Sequence, residues 1–277
     1  KVVLIAIAGM AICGVSAGIG AFQGILASTP TVRLSGVIAS GEATIVYDRE
    51  GNEIDQYVST NSNRIEVDMD QIPAHLGQAF VAIEDERFYE HNGIDVKGIL
   101  RAAYQFVITG GEETQGASTI TQQLLKNTVF TDWTSEGDNV IKKVKRKLQE
   151  QYLALEITKQ LSKDEVLLRY MNAINLGQNT LGVEAASLRY FGKSCSDLTL
   201  SECAVIASIT QNPSAYNPIR YPENNARRRK TCLDKMLELG FITQAEYDEA
   251  MADTEAVYER IGLYDTDYRV GNTTSGS

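Results

Sequence analysis

Three consecutive acids, Glu84, Asp85 and Glu86, stand between apolar residues in the stretch V-A-I-E-D-E-R-F-Y-E-H-N-G (81–93). Apolar residues at helical spacing predict a half-buried helix that carries Glu84 and stops at Asn92-Gly93. A carboxylate that loses hydration at the edge of an apolar patch becomes a better base, so Glu84 is a candidate for proton abstraction. The alternative is a surface turn whose acids are solvated, as acid clusters usually are. Other parts of the chain must decide between these two interpretations.

A segment rich in hydroxyls and amides, S-T-I-T-Q-Q-L-L-K-N (118–127), offers a different chemistry. Thr119 followed three residues later by Gln122 is typical of a capping box at the start of a helix. Helix N-termini present unpaired N–H groups and the positive end of the helix dipole, which favour anions. Lys126 adds a full positive charge further along. The segment is therefore either a site for an anionic group or simply a well-capped helix.

A long helix is predicted over residues 139–161, and its two sides differ in character. One side is an apolar stripe made of Ile141, Val144, Leu148, Tyr152 and Leu155. The opposite side carries Arg146 and Glu150 and continues as Leu153 and Ile157, so Glu150 is predicted at the rim of a buried zone beside cations. A planar guanidinium binds phosphate oxygens in pairs, so this side suits a diphosphate.

The first part of the chain predicts a membrane anchor over residues 1–27. Residues 2–27 carry no charge, and this run exceeds the about 20 residues that cross a hydrocarbon core. It is too long for a typical signal-peptide core, and no clear cleavage site follows it. Lys1 alone precedes it, which favours a cytoplasmic N-terminus and an extracytoplasmic remainder. Because the chain begins with Lys1 rather than Met, we expect a fragment or a processed form.

Charge and cysteine content exclude some functions. The net charge of −10 falls almost entirely outside the anchor and argues against general nucleic-acid binding, which needs a basic face. Cys195, Cys203 and Cys232 form no C-x-x-C pair and have no nearby histidine, so zinc binding is not expected. Buried free thiols are the favoured interpretation, and a Cys195–Cys203 disulfide is the alternative.

The remaining segments suggest how the domain is organised. Residues 28–69 are expected to form a stalk and a small β segment, and helical periodicity dominates from 70 to 262. An amphipathic helix is predicted over 95–108. The glycine-rich segment 109–117 suits a loop that moves over a substrate, although an ordinary connection fits equally well. Residues 263–277 resemble a linker towards a further domain.

Five motifs together resemble one enzyme family. E-D-E-R-F-Y-E-H-N-G (84–93) is similar to the E-D-x-x-F-x-x-H-x-G signature of glycosyltransferase family 51, the peptidoglycan glycosyltransferases. The family's other motifs are resembled, in the same order, by Q-G-A-S-T-I-T-Q-Q-L-L-K-N (115–127), R-K-L-Q-E (146–150), R-Y-M-N-A-I-N-L-G (169–177) and R-R-K-T-C-L-D-K-M (228–236). The anchor, β segment and tail are similar to the start of class A penicillin-binding proteins. No S-x-x-K occurs, so a transpeptidase domain would lie beyond Ser277.

The resemblance implies a mainly α, lysozyme-like fold with a large lobe and a small membrane-proximal lobe. It implies processive polymerisation of lipid II at the outer face of the cell membrane. The expected partners are lipid II, a lipid-linked glycan chain, the membrane itself, and proteins of cell-wall synthesis or division.

The resemblance also implies roles for single residues. Glu84 would be the general base that takes a proton from the acceptor sugar's 4-hydroxyl, and inversion requires base and leaving group on opposite faces of the donor sugar. Lys126 and Arg146 would hold the leaving lipid diphosphate. They would be helped by Ser118, Gln122 and Gln123.

The remaining motif positions are expected to support this chemistry. Glu150 is the second family carboxylate, and it would orient the cations or bind a divalent ion (Mg²⁺ or Mn²⁺) on the diphosphate. No cofactor is otherwise required. Structural roles are expected for Asp85, Phe88, His91, Asn127 and Asn172.

Two rival functions are compatible with parts of this pattern. A lysozyme-like cell-wall hydrolase would share the fold and the catalytic glutamate, but it would not need Lys126 and Arg146 for a diphosphate. An inactive membrane-anchored scaffold is the other rival, and the intact pair of Glu84 and Glu150 argues against it.

Overall fold

The computed structural model describes residues 22–30, 44–47, 53–57, 64–110, 116–130, 140–178 and 180–262, together with Ser16 and Gly20. Its principal helices are α1 Ala74–Glu84, α2 Val96–Ile108, α3 Ile120–Thr128, α4 Val140–Ile157, α5 Lys163–Ala173, α6 Val183–Phe191, α7 Leu200–Ala207, α8 Pro222–Glu238, α9 Gln244–Ala252 and α10 Thr254–Glu259. Two strands, β1 Thr44–Tyr47 and β2 Glu53–Tyr57, pair antiparallel. The prediction of a mainly α protein is confirmed for this part of the chain.

Side-chain caps fix where several helices begin. At α3, Thr119 Oγ1 accepts from the Gln122 N–H at 3.2 Å and Gln122 Oε1 accepts from the Thr119 N–H at 3.3 Å, so the predicted capping box is confirmed. The same reciprocal arrangement opens α5, α7 and α9. Asp95 caps α2 by accepting from the Gly98 N–H at 3.0 Å.

Two groups of helices share one continuous apolar core. In the first group α1 packs against α7 and α8, and in the second α3 packs against α4 and α5. The rings of Phe80 on α1 and Tyr170 on α5 meet edge-on with 5.7 Å between their centroids, and both side chains are fully buried. This contact joins the two groups of helices through the core and helps to fix their relative position.

Helix α1 ends at Glu84 rather than at Asn92-Gly93, so the predicted helix end was wrong. Asp85 leaves the helical region with φ −159° and ψ 70°, and the chain then forms turns and bends up to Gly93. The reason is tertiary, because the Asp85 carboxylate bonds to groups distant from α1, as described below. Glu84 therefore stands at a helix terminus, where its side chain can point into a cleft.

The apolar stripes of α2 and α4 face outward. Val107 on α2 is 77% exposed, Ile141 on α4 is 81% exposed, and Gly98 is the one residue of α2 that is buried. On α4 it is the side with Glu150 and Leu153 that is buried, as predicted. Helical periodicity thus identifies two sides of a helix correctly, but it does not say which side the rest of the protein covers.

Several predictions concern the segments before and after the helical domain. The predicted small β segment forms as the hairpin of β1 and β2, and Arg64 makes an isolated bridge with Leu181. No helix in the described part of the chain has both the length and the apolarity that a membrane crossing requires. Most of the predicted anchor, residues 111–115 of the predicted loop and the tail 263–277 lie outside the described residues. The domain boundaries stay predictions.

All three cysteines that the structure describes are buried free thiols. Burial raises the pKa of Cys195 and Cys232 to about 12, so both thiols stay protonated. Cys203 lies in an equally buried position. The favoured interpretation of unpaired structural cysteines is confirmed, and the Cys195–Cys203 disulfide is not formed.

Candidate active site

A cleft of about 760 Å³ is lined by residues of both helix groups. Its lining includes Glu84 from α1, Gln123 and Lys126 from α3, Lys147 and Glu150 from α4, and Arg228 from α8. The two carboxylates that the sequence singled out therefore line the same hollow. A volume of this size suits a sizeable ligand such as a sugar with its attached group.

Glu84 is held by donors from three separate parts of the chain. Its Oε1 accepts from Arg228 Nη2 at 2.7 Å and from Thr210 Oγ1 at 2.5 Å, and its Oε2 accepts from Gln123 Nε2 at 2.9 Å. The side chain is 9% exposed. The sequence predicted an apolar edge, whereas the observed surroundings are polar donors that fix the direction of both carboxylate oxygens.

The partners of Glu84 are themselves oriented. Arg228 Nη1 donates to Gln211 Oε1 at 2.8 Å, and its guanidinium lies over the Tyr216 ring at 5.2 Å. Gln123 accepts from the Tyr170 hydroxyl at 3.2 Å. Burial, with the nearby Glu84 charge as the second cause, raises the pKa of Tyr170 well above its usual value, so the phenol stays protonated and donates. Glu84 thus lies at the centre of a continuous network.

The loop after Glu84 is fixed by Asp85 and His91. His91 Nε2 lies 2.9 and 3.0 Å from the two Asp85 oxygens, and His91 Nδ1 accepts from the Gly93 N–H at 3.1 Å. Because Nδ1 is the acceptor, the proton that bonds Asp85 is on Nε2. The Gly93 carbonyl accepts from Thr119 Oγ1 at 2.7 Å. Asp85 and His91 therefore connect the loop after Glu84 to Gly93 and to the start of α3.

The N-terminus of α3 already has an anion. The Ile120 N–H donates to Asp85 Oδ2 at 3.0 Å, and the Asp85 side chain is 2% exposed. The sequence left open whether this helix end is a site for an anionic group or simply a well-capped helix. The structure favours the second interpretation, because the carboxylate of Asp85 takes the position where the helix dipole favours negative charge.

The second carboxylate that lines the cleft lies among cations. Glu150 is 1% exposed, and its oxygens accept from Lys147 Nζ at 3.2 Å and from Arg146. Lys147 Nζ also donates to Ser118 Oγ at 2.7 Å and approaches Gln122 Oε1 at 3.4 Å. Lys147 lines the cleft, whereas Arg146 is not among its lining residues. Sequence reasoning selected Arg146 and missed its neighbour.

Lys126 lines the cleft beside this pair. Burial lowers its pKa first of all, the Glu150 charge opposes that effect, and the charges of Arg146 and Lys147 lower it further. A partly desolvated ammonium that is repelled by neighbouring cations gains more from an incoming anion than a solvated one does. This end of the cleft is therefore suited to a phosphate-bearing group.

The remaining predicted residues divide between the cleft and its support. Asn127 lines the cleft. Asn172 braces the backbone of Val67, accepting from its N–H at 3.1 Å and donating to its carbonyl at 2.9 Å. Phe88 is fully buried, with Lys163 Nζ 4.4 Å from its ring centroid. Neither Asn172 nor Phe88 is among the lining residues of the cleft, and their structural roles stay predictions.

A metal ion was predicted only as an alternative role for Glu150. Among the residues that the structure describes, no three His, Cys, Asp or Glu side chains come together in a way that would hold a metal ion. The contacts of Glu150 with Lys147 and Arg146 favour the orienting role. A divalent ion carried in by a diphosphate stays a prediction.

Sequence reasoning also missed a charged cluster around Glu86. Glu86 accepts from Arg101 Nη1 at 2.7 Å and from Lys235 Nζ at 3.0 Å. Burial alone would raise the pKa of Glu86, but the bonds and charges of Lys235 and Arg101 outweigh burial and lower the pKa to about 2. One signal in the sequence was available, since Arg228 and Lys235 belong to a basic helix in a chain of net charge −10.

Comparison with known proteins gives a consistent result. The family model described as "Transglycosylase" matches residues 50–237. Penicillin-binding protein 1A of Clostridium botulinum is 44% identical over 253 residues, covering 88% of this chain and 29% of that protein. Penicillin-binding protein 1A of Escherichia coli is 42% identical over 212 residues, covering 76% of this chain and 23% of that protein.

A solved structure was also matched. The crystal structure of penicillin-binding protein 1A from Haemophilus influenzae aligns with a TM-score of 0.41 and 25% sequence identity, covering 80% of this chain and 21% of that one.

The chain belongs to the transglycosylase family. This membership confirms the resemblance drawn from the five motifs, and with it the prediction of an enzyme of the peptidoglycan glycosyltransferase class. The chain spans 23% to 34% of the length of the penicillin-binding proteins 1A that it matches. The substrates and partners of those longer proteins are therefore considered below as proposals.

Proposed function

We propose that this protein polymerises lipid II into β-1,4-linked glycan strands by inverting glycosyl transfer in cell-wall synthesis, with release of undecaprenyl diphosphate. The observation that carries the proposal is that one cleft is lined both by a carboxylate in a fixed orientation, Glu84, and by cations grouped around a second carboxylate, Glu150. The Glu84 carboxylate suits proton abstraction, and the cations around Glu150 suit a departing diphosphate.

Glu84 acts as the general base in this proposal. It takes the proton from the 4-hydroxyl of the acceptor sugar while that oxygen forms a bond to the anomeric carbon of the donor. The bond from this carbon to the diphosphate oxygen breaks on the opposite face of the donor sugar, so the configuration inverts. The bonds from Thr210, Arg228 and Gln123 support this role because they hold both carboxylate oxygens in one direction before substrate binds.

Lys126 and Lys147 neutralise the charge that develops on the leaving diphosphate. Lys147 bonds both Ser118 and Glu150, so its ammonium is already oriented when the substrate arrives. Arg146 acts indirectly, because it bonds Glu150. Glu150 in turn orients Lys147. Gln122 and Gln123 complete the polar lining of the cleft.

The proposal includes the lysozyme-like, two-lobed arrangement and a location at the outer face of the cell membrane. The outward apolar sides of α2 and α4 support the location. Leu100 is 65% exposed, Val107 77%, Ile141 81% and Val144 53%. Exposed apolar side chains on surface helices suit the interfacial region of a bilayer. The anchor predicted over residues 1–27 would hold the cleft close to a lipid-linked substrate. Contacts with a lipid-linked glycan chain and with proteins of cell-wall synthesis or division stay predictions.

Incubation of membrane-embedded protein with purified lipid II tests the function. We expect glycan polymer of increasing length, and we expect Glu84→Gln to lower the rate by about 10³-fold, the range expected for loss of a general base. Glu90→Gln is the matched control, because Glu90 lies exposed on the same loop and its change removes the same charge.

Each alternative result has a distinct meaning. Cleavage of finished glycan without polymerisation would identify the hydrolase, and neither reaction would identify the scaffold. A Glu84→Gln protein that polymerises at the rate of the unchanged protein would remove Glu84 from the role of base.

A further inference from the structure

A second hollow adjoins the catalytic cleft. This hollow, which we call the Tyr216 groove, has a volume of about 410 Å³. It is lined by Ala215, Tyr216, Asn224, Arg227, Arg228 and Thr231. Arg228 lines both hollows, because its guanidinium bonds Glu84 at 2.7 Å and lies 5.2 Å from the centroid of the Tyr216 ring. A single side chain, that of Arg228, therefore lies between the Tyr216 groove and the proposed base, Glu84.

The charge of the Tyr216 groove contrasts with that of the chain. The whole chain carries a net charge of −10, yet the groove is lined by two arginines and no acidic residue. The Arg228 charge is already paired with Glu84. Arg227 is therefore the cation of the groove that acts on a ligand, and its side chain is exposed. Such a local excess of positive charge favours an anionic group.

The polar groups around Arg227 are arranged to orient it. The Arg227 guanidinium donates to Asn224 Oδ1, and Asn224 Nδ2 donates to the Ala215 carbonyl at 3.1 Å. Thr231 Oγ1 donates to the Arg227 carbonyl at 3.2 Å, one helical turn further along α8. A guanidinium fixed from one side can present its other N–H groups to a planar carboxylate.

We propose that the Tyr216 groove binds a carboxylate of the peptide carried by the sugar units of the substrate. This inference rests on the proposed function, because it takes the acceptor sugar to lie against Glu84. The sugar units of lipid II carry a peptide, and the groove is within reach of a substrate bound at Glu84 because Arg228 lines both hollows. Arg227 is the binding residue of this subsite, and Tyr216 forms its apolar wall.

The first test compares two substrates on one variant. Arg227→Ala is assayed with lipid II that carries its peptide carboxylates and with lipid II whose carboxylates are converted to amides. We expect KM for the carboxylate substrate to rise about three- to tenfold with kcat unchanged, the effect of losing one charge-assisted contact. For the amidated substrate we expect Arg227→Ala and the unchanged protein to behave alike.

Lys230→Ala is the matched control. Lys230 lies on the same helix, its replacement removes the same unit charge, and it pairs with Asp234 outside the groove. KM of this variant should stay within the error of the unchanged protein for both substrates. If Arg227→Ala alters KM equally for both substrates, or if Lys230→Ala has the same effect, general electrostatics explains the result and the subsite is rejected.

A second measurement does not depend on glycosyl transfer. A lipid-free disaccharide peptide is titrated into the protein up to about 10 mM and followed by NMR, since single polar subsites bind in the millimolar range. We expect shifts at Arg227 and Thr231 that disappear with the amidated peptide and in Arg227→Ala. No binding by the unchanged protein would reject the subsite while leaving the transferase intact. Binding by a protein that forms no polymer would keep the subsite and reject the transferase.

Discussion

The two carboxylates of the cleft are held in opposite ways. Glu84 receives its bonds from Gln123, Thr210 and Arg228, which lie 39, 126 and 144 positions away along the chain. Glu150 receives its bonds from Arg146 and Lys147, four and three positions away on the same helix. The surroundings of Glu84 are therefore assembled by the fold, and those of Glu150 are largely built into a single helix.

The comparison has a mechanical consequence. Glu150, Arg146 and Lys147 lie on one helix, α4, so their mutual geometry depends mainly on that helix, and Ser118 adds one contact to Lys147 from outside it. Glu84 keeps its geometry only while α1, α3 and α8 keep theirs, because it has a partner on each of the last two. The four predictions that follow test this contrast, from the largest expected effect to the smallest.

Gly93 belongs to the loop after Glu84 and contacts α4, the helix that carries Glu150. Its φ is +92°, and a Cβ atom there would lie 2.4 Å from the Ala154 carbonyl oxygen on α4. Gly93→Ala should lower the free energy of unfolding by about 3 kcal/mol, since backbone strain and overpacking add. Urea denaturation measures this.

Gly110→Ala is the matched control for Gly93→Ala. Gly110 has φ +63°, and a Cβ atom added there would have no atom of the described residues within 4 Å. Its replacement should cost about 1 kcal/mol, because only the backbone conformation opposes it. Equal costs at both sites would mean that the loop after Glu84 is not tightly packed against α4 at Gly93.

Arg228 tests whether Glu84 depends on distant partners. Arg228→Ala should lower kcat about 30-fold with little change in KM, because it leaves a buried carboxylate without its cation and its direction. Arg228→Lys should recover part of the rate, since it restores the charge but not the bond to Gln211. Steady-state kinetics with lipid II separates the two parameters. If Arg228→Ala retains at least half of kcat, Gln123 and Thr210 alone suffice to orient the base.

Replacing Lys147 and Arg146 in turn compares a cation that lines the cleft with a neighbouring cation that does not. Lys147→Ala should raise KM for lipid II about tenfold and Arg146→Ala about threefold, because only Lys147 of the two lines the cleft. The Lys147→Ala effect should shrink at high salt, where ionic contacts are screened. A larger rise in KM for Arg146→Ala than for Lys147→Ala would support the original prediction that Arg146 holds the diphosphate.

Glu86 gives the smallest effect and a dependence on pH. Its pKa in the folded protein is lowered to about 2 from a usual value of 4.5, so its contribution to stability is complete above that usual value and is lost as pH falls through about 2. Glu86→Gln should lower the free energy of unfolding by about 1 kcal/mol or less at pH 7, since the cluster is partly solvated. The difference from the unchanged protein should narrow between about pH 4 and pH 3 in urea denaturation. A difference that stays constant over that range would show that the charge of Glu86 does not contribute.

Local features of the site were predictable from neighbouring residues. The capping box of Thr119 and Gln122, the buried side of α4 and the cations beside Glu150 all depend on spacings of three or four residues. The prediction of a helix end was wrong where a residue bonds to a segment that is distant in the sequence. The helix was expected to continue past Glu84, but Asp85 bonds instead to Ile120 on α3, which ends the helix.

The order and types of the motif residues determined the family, the mainly helical fold and the two carboxylates, since each depends on residues close together in the chain. Only the tertiary structure decided that Arg228 and Thr210 hold Glu84, that Lys147 rather than Arg146 lines the cleft, and that the apolar sides of α2 and α4 face outward. The physical reason is that helical periodicity fixes the direction of a side chain relative to its own axis. Which surface meets that side chain depends on how whole helices pack around a shared core.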